Sequence, residues 1–181
     1  MIYVAVIVAI CLAELLIRRY INQNVEEDGQ KWGKCGVRLR KYHNYGMAND
    51  TLRKRPMLVK IIGVVVVSFL AVVFLFMLTL KGEKAGKWGL ALILGGGLAN
   101  LLERFVHGYV TDYLQFRVPL ACLRKLIYNV ADLCIFAGTA ILFFRELAEA
   151  VNGIGDGIKT AVEKSMKDER LKADLITNVS H

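Results

Sequence analysis

The sequence predicts an all-α integral membrane protein with four transmembrane helices, a short strand in the loop after the first helix, and a C-terminal amphipathic helix. Three observations carry this. Apolar types make up 55% of the 181 residues. They are gathered into four long, nearly uncharged blocks, at 2–17, 61–80, 88–102 and 126–144. The charges, with a net of +8, lie mostly between the blocks. A span takes about 20 mostly apolar residues at ~1.5 Å rise each. The composition excludes intrinsic disorder, which needs low hydrophobicity. A soluble helix would carry charges along one face every few residues.

The first block, IYVAVIVAICLAELLI, is broken only by Glu14 and ends at Arg18-Arg19. No basic residues precede it and no small-x-small site follows, so it reads as a retained helix rather than a cleavable signal. Glu14 and Arg18 stand at i and i+4, the spacing of a structural ion pair on one helical face. Between the first two blocks, Val37–Tyr42 alternates apolar and polar and predicts a short strand. Pro56 breaks the chain just before the second block, which contains no charge.

The third block carries Gly95-Gly96-Gly97, small residues that let helices approach closely. No Lys-Ser/Thr follows them, so they are not a phosphate loop. The block closes with Asn100, Glu103 and Arg104, and Asp112 follows eight residues after Arg104. The fourth block holds one acid, Asp132, about six residues in, with Asn129 on the same helical face. After Phe144, apolar residues at 147, 151, 154, 158, 162 and 166 predict an amphipathic helix on the membrane surface or packed on the bundle, with a solvated frayed tail as the alternative. Gly153, Gly155 and Gly157 oppose helix there. The chain is thus expected to divide into a four-helix membrane region, 1–145, and a charged tail, 146–181.

Charged groups inside spans are costly and point to function. The third block ends and the fourth begins on one side of the membrane, so a hairpin can bring Asp112 and Asp132 together. Two carboxylates in a poorly solvated site cannot both ionise, and one keeps a proton. That supplies a base for water and an acid for a carbonyl oxygen. Residues alone leave a second reading open, in which the acids form a structural or ion-relay pair. The amides of Asn100 and Asn129 and the Arg104 guanidinium can orient carboxylates or hold a carbonyl.

Cys11, Cys35, Cys122 and Cys134 show no C-x-x-C spacing, and no metal site or cofactor is expected. Cys35 and Cys122 fall in loops on one side and can pair if that side is oxidising. His43, His107 and His181 are not clustered. Trp32, Tyr42, Tyr109 and Tyr113 suit interfacial anchoring. The basic residues flank spans, which disfavours nucleic acid as a partner.

These motifs together resemble signal peptidase II, the bacterial lipoprotein signal peptidase family. Residues 95–104, GGGLANLLER, resemble its GGxxGNxxDR box, with Ala99 and Glu103 departing from it. Residues 108–113, GYVTDY, are similar to GxVxDF, and 128–132, YNVAD, to FNxAD. Asn44-Tyr-Gly-Met-Ala48 looks like NxGxA, with Asn49 where a Phe is common. Glu14 and Arg18 stand where the family has Asp and Lys. The resemblance covers roughly 10–145. It implies an intramembrane aspartyl protease that cleaves signal peptides before a diacylglyceryl-modified cysteine, with Asp112 and Asp132 as the dyad. It further implies that Asn44, Asn100, Arg104 and Asn129 position substrate and dyad, and that the first external loop forms a small β-platform. The expected partners are diacylglyceryl-modified prolipoproteins and membrane lipids, and the expected state is a monomer. The implied place is the bacterial cytoplasmic membrane, with both termini inside and the dyad toward the outer face. Loop 18–56 carries ten Lys and Arg and would lie inside by charge bias. The family topology puts it outside.

Overall fold

Pro56 occupies the first helical position of α2 (Pro56–Thr79), where its missing N–H costs nothing. Gly108 ends α3 (Lys84–His107) in the left-handed conformation that glycine adopts without strain. These punctuation marks sit between the other elements of the computed structural model, which describes residues 1–26, 36–47, 51–117 and 126–179. α1 spans Ile2–Asn24, β1 Val37–Asn44, β2 Val110–Phe116, β3 Ile127–Tyr128 and α4 Val130–Val179.

The chain divides into two units, Met1–Leu142 and Phe143–His181. In the first, α3 is the central helix, packed by α1 and α2. Small residues allow this. A Cβ on Gly95 would come within 2.7 Å of Ile10 on α1, and one on Gly97 within 3.3 Å of Val67 on α2. A Cβ on Gly96 would collide with the carbonyl oxygen of Ala131 on α4. Phe74, Leu90, Ala91 and Leu94 form the buried core between helices.

Outside this core the helices present apolar side chains outward, among them Val8, Leu12, Val65, Phe69, Phe76, Phe105 and Phe136. That surface suits hydrocarbon rather than water. Among the described residues, α2 and α3 are long and apolar enough to cross a membrane. α1 and α4 differ from them in charge. Residues 2–19 include Glu14, Arg18 and Arg19, and residues 130–147 include Asp132, Arg145 and Glu146. The sequence expectation of four spans is therefore met by composition in two helices.

The strand expected at 37–42 is β1, but the sheet is larger than a platform within the first loop. It has the order β1-β2-β3, all antiparallel, and two of its strands come from the segment between α3 and α4. Asp112, in the segment between the third and fourth apolar blocks, is on β2. The fourth helix also starts later than the apolar block, because Ile127 and Tyr128 pair with β2. Asp132 is thus in the first turn of α4 rather than well inside it. Tyr113, expected as an interfacial anchor, is buried in the cluster of Ile21 and Val25. Cys35, Cys122 and Trp32 lie outside the described residues, and Cys11 and Cys134 are free thiols.

In the second unit the chain remains helical through the three glycines, where open space surrounds each Cβ position. Leu147, Val151, Ile154, Ile158, Val162 and Met166 are exposed. Arg145 pairs with Glu149 at 2.8 Å, one helical turn away.

Candidate active site

A strand alternates its side chains, and β2 uses both faces. On one face is Asp112, 4% exposed, opposite Tyr42 of β1. Asn44, two residues further along β1, reaches it diagonally, and its Nδ2 donates to Asp112 Oδ2 at 3.0 Å. Asn44 Oδ1 accepts from the Gly46 N–H at 3.0 Å, the side-chain-to-backbone turn that Asn favours. That fixes which end of its amide faces Asp112.

Asp132 is placed by a helix cap. Asn129 precedes the first residue of α4, and its Oδ1 accepts the Asp132 N–H at 2.9 Å. Asp132 Oδ2 in return accepts the Asn129 N–H at 3.1 Å. This is the reciprocal arrangement of a capping box. It leaves Asn129 Nδ2 pointing away from the helix, where it donates to Asp112 Oδ1 at 2.7 Å. One fully buried asparagine therefore bonds both aspartates. Asn100 Nδ2 donates to the other Asp132 oxygen, Oδ1, at 3.0 Å.

Burial, and then the negative charge of Asp132, push the Asp112 carboxyl up to about 7 against the opposing hydrogen bonds of Asn44 and Asn129. At neutral pH such a carboxyl exchanges between its protonated and ionised forms. Arg104 Nη2 donates to the Gly46 carbonyl at 2.8 Å, and its buried Nε has no hydrogen-bond partner among the described residues.

Behind the aspartates lies a buried ionic triad. Arg18 pairs with Glu14 at 2.7 Å and with Glu103 at 2.6 Å. The ion pair expected of Glu14 and Arg18 is thus part of a larger group. Glu14 Oε1 accepts from the Ala131 N–H and from the Tyr113 hydroxyl. The Tyr113 oxygen accepts the Val130 N–H at 3.2 Å. Glu103 Oε1 accepts the Thr111 hydroxyl at 2.7 Å. Thr111 and Tyr113 flank Asp112 on β2, and Ala131 directly precedes Asp132, so the triad grips neighbours of both aspartates. Burial and the Glu14 carboxylate raise the Tyr113 phenol, which remains a donor.

The structure brings Asn44, Asn100, Asp112, Asn129 and Asp132 into one hydrogen-bonded group, with Arg104 beside it on Gly46. Sequence reasoning missed Thr111 and Tyr113. Their alternation with Asp112 was the available signal. It also treated Glu103 only as a departure. Among the described residues no cluster suits a metal ion.

A family model described as signal peptidase (SPase) II matches residues 6–148. A lipoprotein signal peptidase of Halothermothrix orenii is 31% identical over 143 residues, 78% of this chain and 92% of that protein. One from Wigglesworthia glossinidia brevipalpis is 24% identical over 147 residues, 81% and 95% of the two chains. One from Mesorhizobium japonicum is 41% identical over 88 residues, 47% of this chain and 51% of that protein. In fold, the chain is similar to a bacterial membrane enzyme solved by the in meso method at 2.3 Å resolution. The TM-score is 0.71 at 16% identity, over 83% of this chain and 90% of that one.

Proposed function

This chain belongs to the signal peptidase II family, a family of bacterial membrane peptidases, and from that premise we propose that it is an intramembrane aspartyl endopeptidase. Its substrates are prolipoproteins, cut just before a diacylglyceryl-modified cysteine. The observation that carries the mechanism is the Asn129 amide bonded to Asp112 while its backbone N–H and Oδ1 hold Asp132.

The pair works with one proton between its two members. Asp112, poised at about 7, is the protonated partner. Asp132, held by N–H donors from Asn129 and Asn100 at the positive end of α4, is the ionised partner. Asp132 takes a proton from water as the water oxygen attacks the scissile carbonyl carbon. Asp112 gives its proton to the carbonyl oxygen, forming a tetrahedral diol. As the diol collapses, Asp132 passes a proton to the amide nitrogen and Asp112 recovers one from a hydroxyl. The C–N bond breaks, leaving a carboxylic acid and a free amine on the modified cysteine. In this reading Arg104 and Asn44, beside the pair, position the substrate's backbone or ester carbonyls.

Residues 1–145 form the peptidase and cross the cytoplasmic membrane four times, and 146–181 form a cytoplasmic tail. The Glu14–Arg18–Glu103 triad supports α1 as a span, because its charges are buried and mutually paired rather than facing lipid. In α4 the charges stand at the two ends of the apolar stretch. The dyad lies toward the outer face, and the enzyme acts as a monomer among membrane lipids, without metal or cofactor.

The test is to incubate the purified chain with a diacylglyceryl-modified prolipoprotein peptide and identify the products by mass spectrometry. The reading expects a single cut immediately before the modified cysteine. It fails if that peptide stays intact under conditions where a lipoprotein signal peptidase of the same family cleaves it.

A further inference from the structure

We propose that the basic rim at the start of α2 is a docking surface for the headgroups of anionic phospholipids in the bilayer. Arg53, Lys54 and Arg55 are exposed and immediately precede Pro56, and Lys60 follows within the first turns of the helix. From Thr51 to Gly82 the sequence contains no Asp or Glu. Among the described residues Lys54, Arg55 and Lys60 make no ion pair.

Lys54 and Arg55 at a helix N-terminus are unfavourable by themselves, because the exposed N–H groups there carry the positive end of the helix dipole. The first turn of α2 holds no acid to offset them. Among the described residues, Lys54 and Arg55 therefore stand at this point without a counter-charge from the protein. Headgroup phosphates supply it.

The neighbouring side chains place this rim at membrane-surface depth. From Ile61 onward α2 presents apolar side chains outward, including Ile61, Val65 and Phe69. Beside the cations are the exposed Tyr45, Met47 and Met57, an aromatic and two flexible apolar groups of the kind that enter the headgroup boundary. Arg53 lies over the Tyr45 ring at 5.7 Å. Lys60 lays its ammonium over the Phe105 ring at 5.7 Å, so its stem runs along apolar surface and its charge stays at the rim. Cations next to inserted apolar groups favour a charged bilayer surface over a soluble acidic partner.

The inference does not rest on the peptidase reading, and its test needs no activity. The full chain is reconstituted in phosphatidylcholine vesicles with trace spin-labelled phosphatidylglycerol or phosphatidylcholine. The fraction of motionally restricted label is read by electron paramagnetic resonance. Wild type is expected to restrict phosphatidylglycerol at least about threefold in preference to phosphatidylcholine. The preference should weaken with ionic strength and approach parity in R53Q/K54Q/R55Q/K60Q. Should that variant fail to fold, Lys54→Glu and Arg55→Glu, at exposed positions, should each lower the preference. Equal restriction of both lipids by wild type overturns the proposal, as does a preference undiminished in the folded variants. Removal of the preference by inorganic phosphate at matched ionic strength also overturns it, since the surface would then be a site for free phosphate.

Discussion

Arg18 Nη2 donates to Asn100 Oδ1 at 2.5 Å, which turns the Asn100 amide so that its nitrogen faces Asp132. An asparagine alone can present either end to a carboxylate, and the wrong end would set two acceptors against each other. Arg18 removes that choice. Asn100→Ala is therefore expected to lower kcat about tenfold to hundredfold with little change in KM. The chain should still accumulate normally, since Asn100 is only partly buried. Steady-state kinetics on a lipopeptide substrate separates the two parameters. A change confined to KM would mean that Asn100 binds substrate instead.

The triad makes a stability prediction of unequal halves. Arg18→Met leaves Glu14 and Glu103 buried without a counter-charge, at a cost of about 3–5 kcal/mol. That variant should fail to accumulate in membranes. The triple variant E14Q/R18M/E103Q removes all three charges and should recover much of the loss. Thermal midpoints in detergent decide this. Equal stability of wild type and Arg18→Met would show that the triad is not a coupled unit.

Asp112 predicts a pH dependence of definite sign. Its carboxyl titrates at about 7 in the folded chain against 3.8 in the unfolded one. Between those values the folded chain keeps a proton that the unfolded chain has released, so stability falls as pH rises from about 4 through 7. Asp112→Asn removes this loss. Its thermal midpoint relative to wild type should climb across that window and level off above it. Wild-type kcat/KM should fall on the alkaline side of about 7, where the dyad loses its shared proton.

Glycines in α3 are not equivalent. A Cβ at position 96 meets the backbone oxygen of Ala131, next to Asp132, and backbone cannot swing aside. Gly96→Ala should destabilise by about 1–3 kcal/mol and reduce activity by displacing the start of α4. Gly97→Ala meets only the methyl of Val67 at 3.3 Å and should be tolerated. Gly153→Ala, in open space, should raise helix content. Circular dichroism with melting curves distinguishes the three.

The helical blocks and the asparagine–aspartate motifs were legible because apolar runs and short motifs are local features. The start of α4 was not. Ile127 and Tyr128 read as the head of an apolar block, and only pairing with β2, set by tertiary contact, makes them a strand. Asn-x-x-Asp at 129–132 is a local cap signal that the apolar run concealed. Glu103 illustrates a different limit. Its role depends on Arg18 of α1, 85 positions away, and on Thr111 across the turn, partners that no spacing rule joins.

The central claim is that Asp112 and Asp132 share the acid and base work. The most direct measurement is the single-turnover cleavage rate of a diacylglyceryl-modified prolipoprotein peptide by wild type, Asp112→Asn and Asp132→Asn, each checked for folding by its thermal midpoint. The account predicts that each substitution alone abolishes cleavage while the folded chain persists. Substantial cleavage by either folded variant would contradict it.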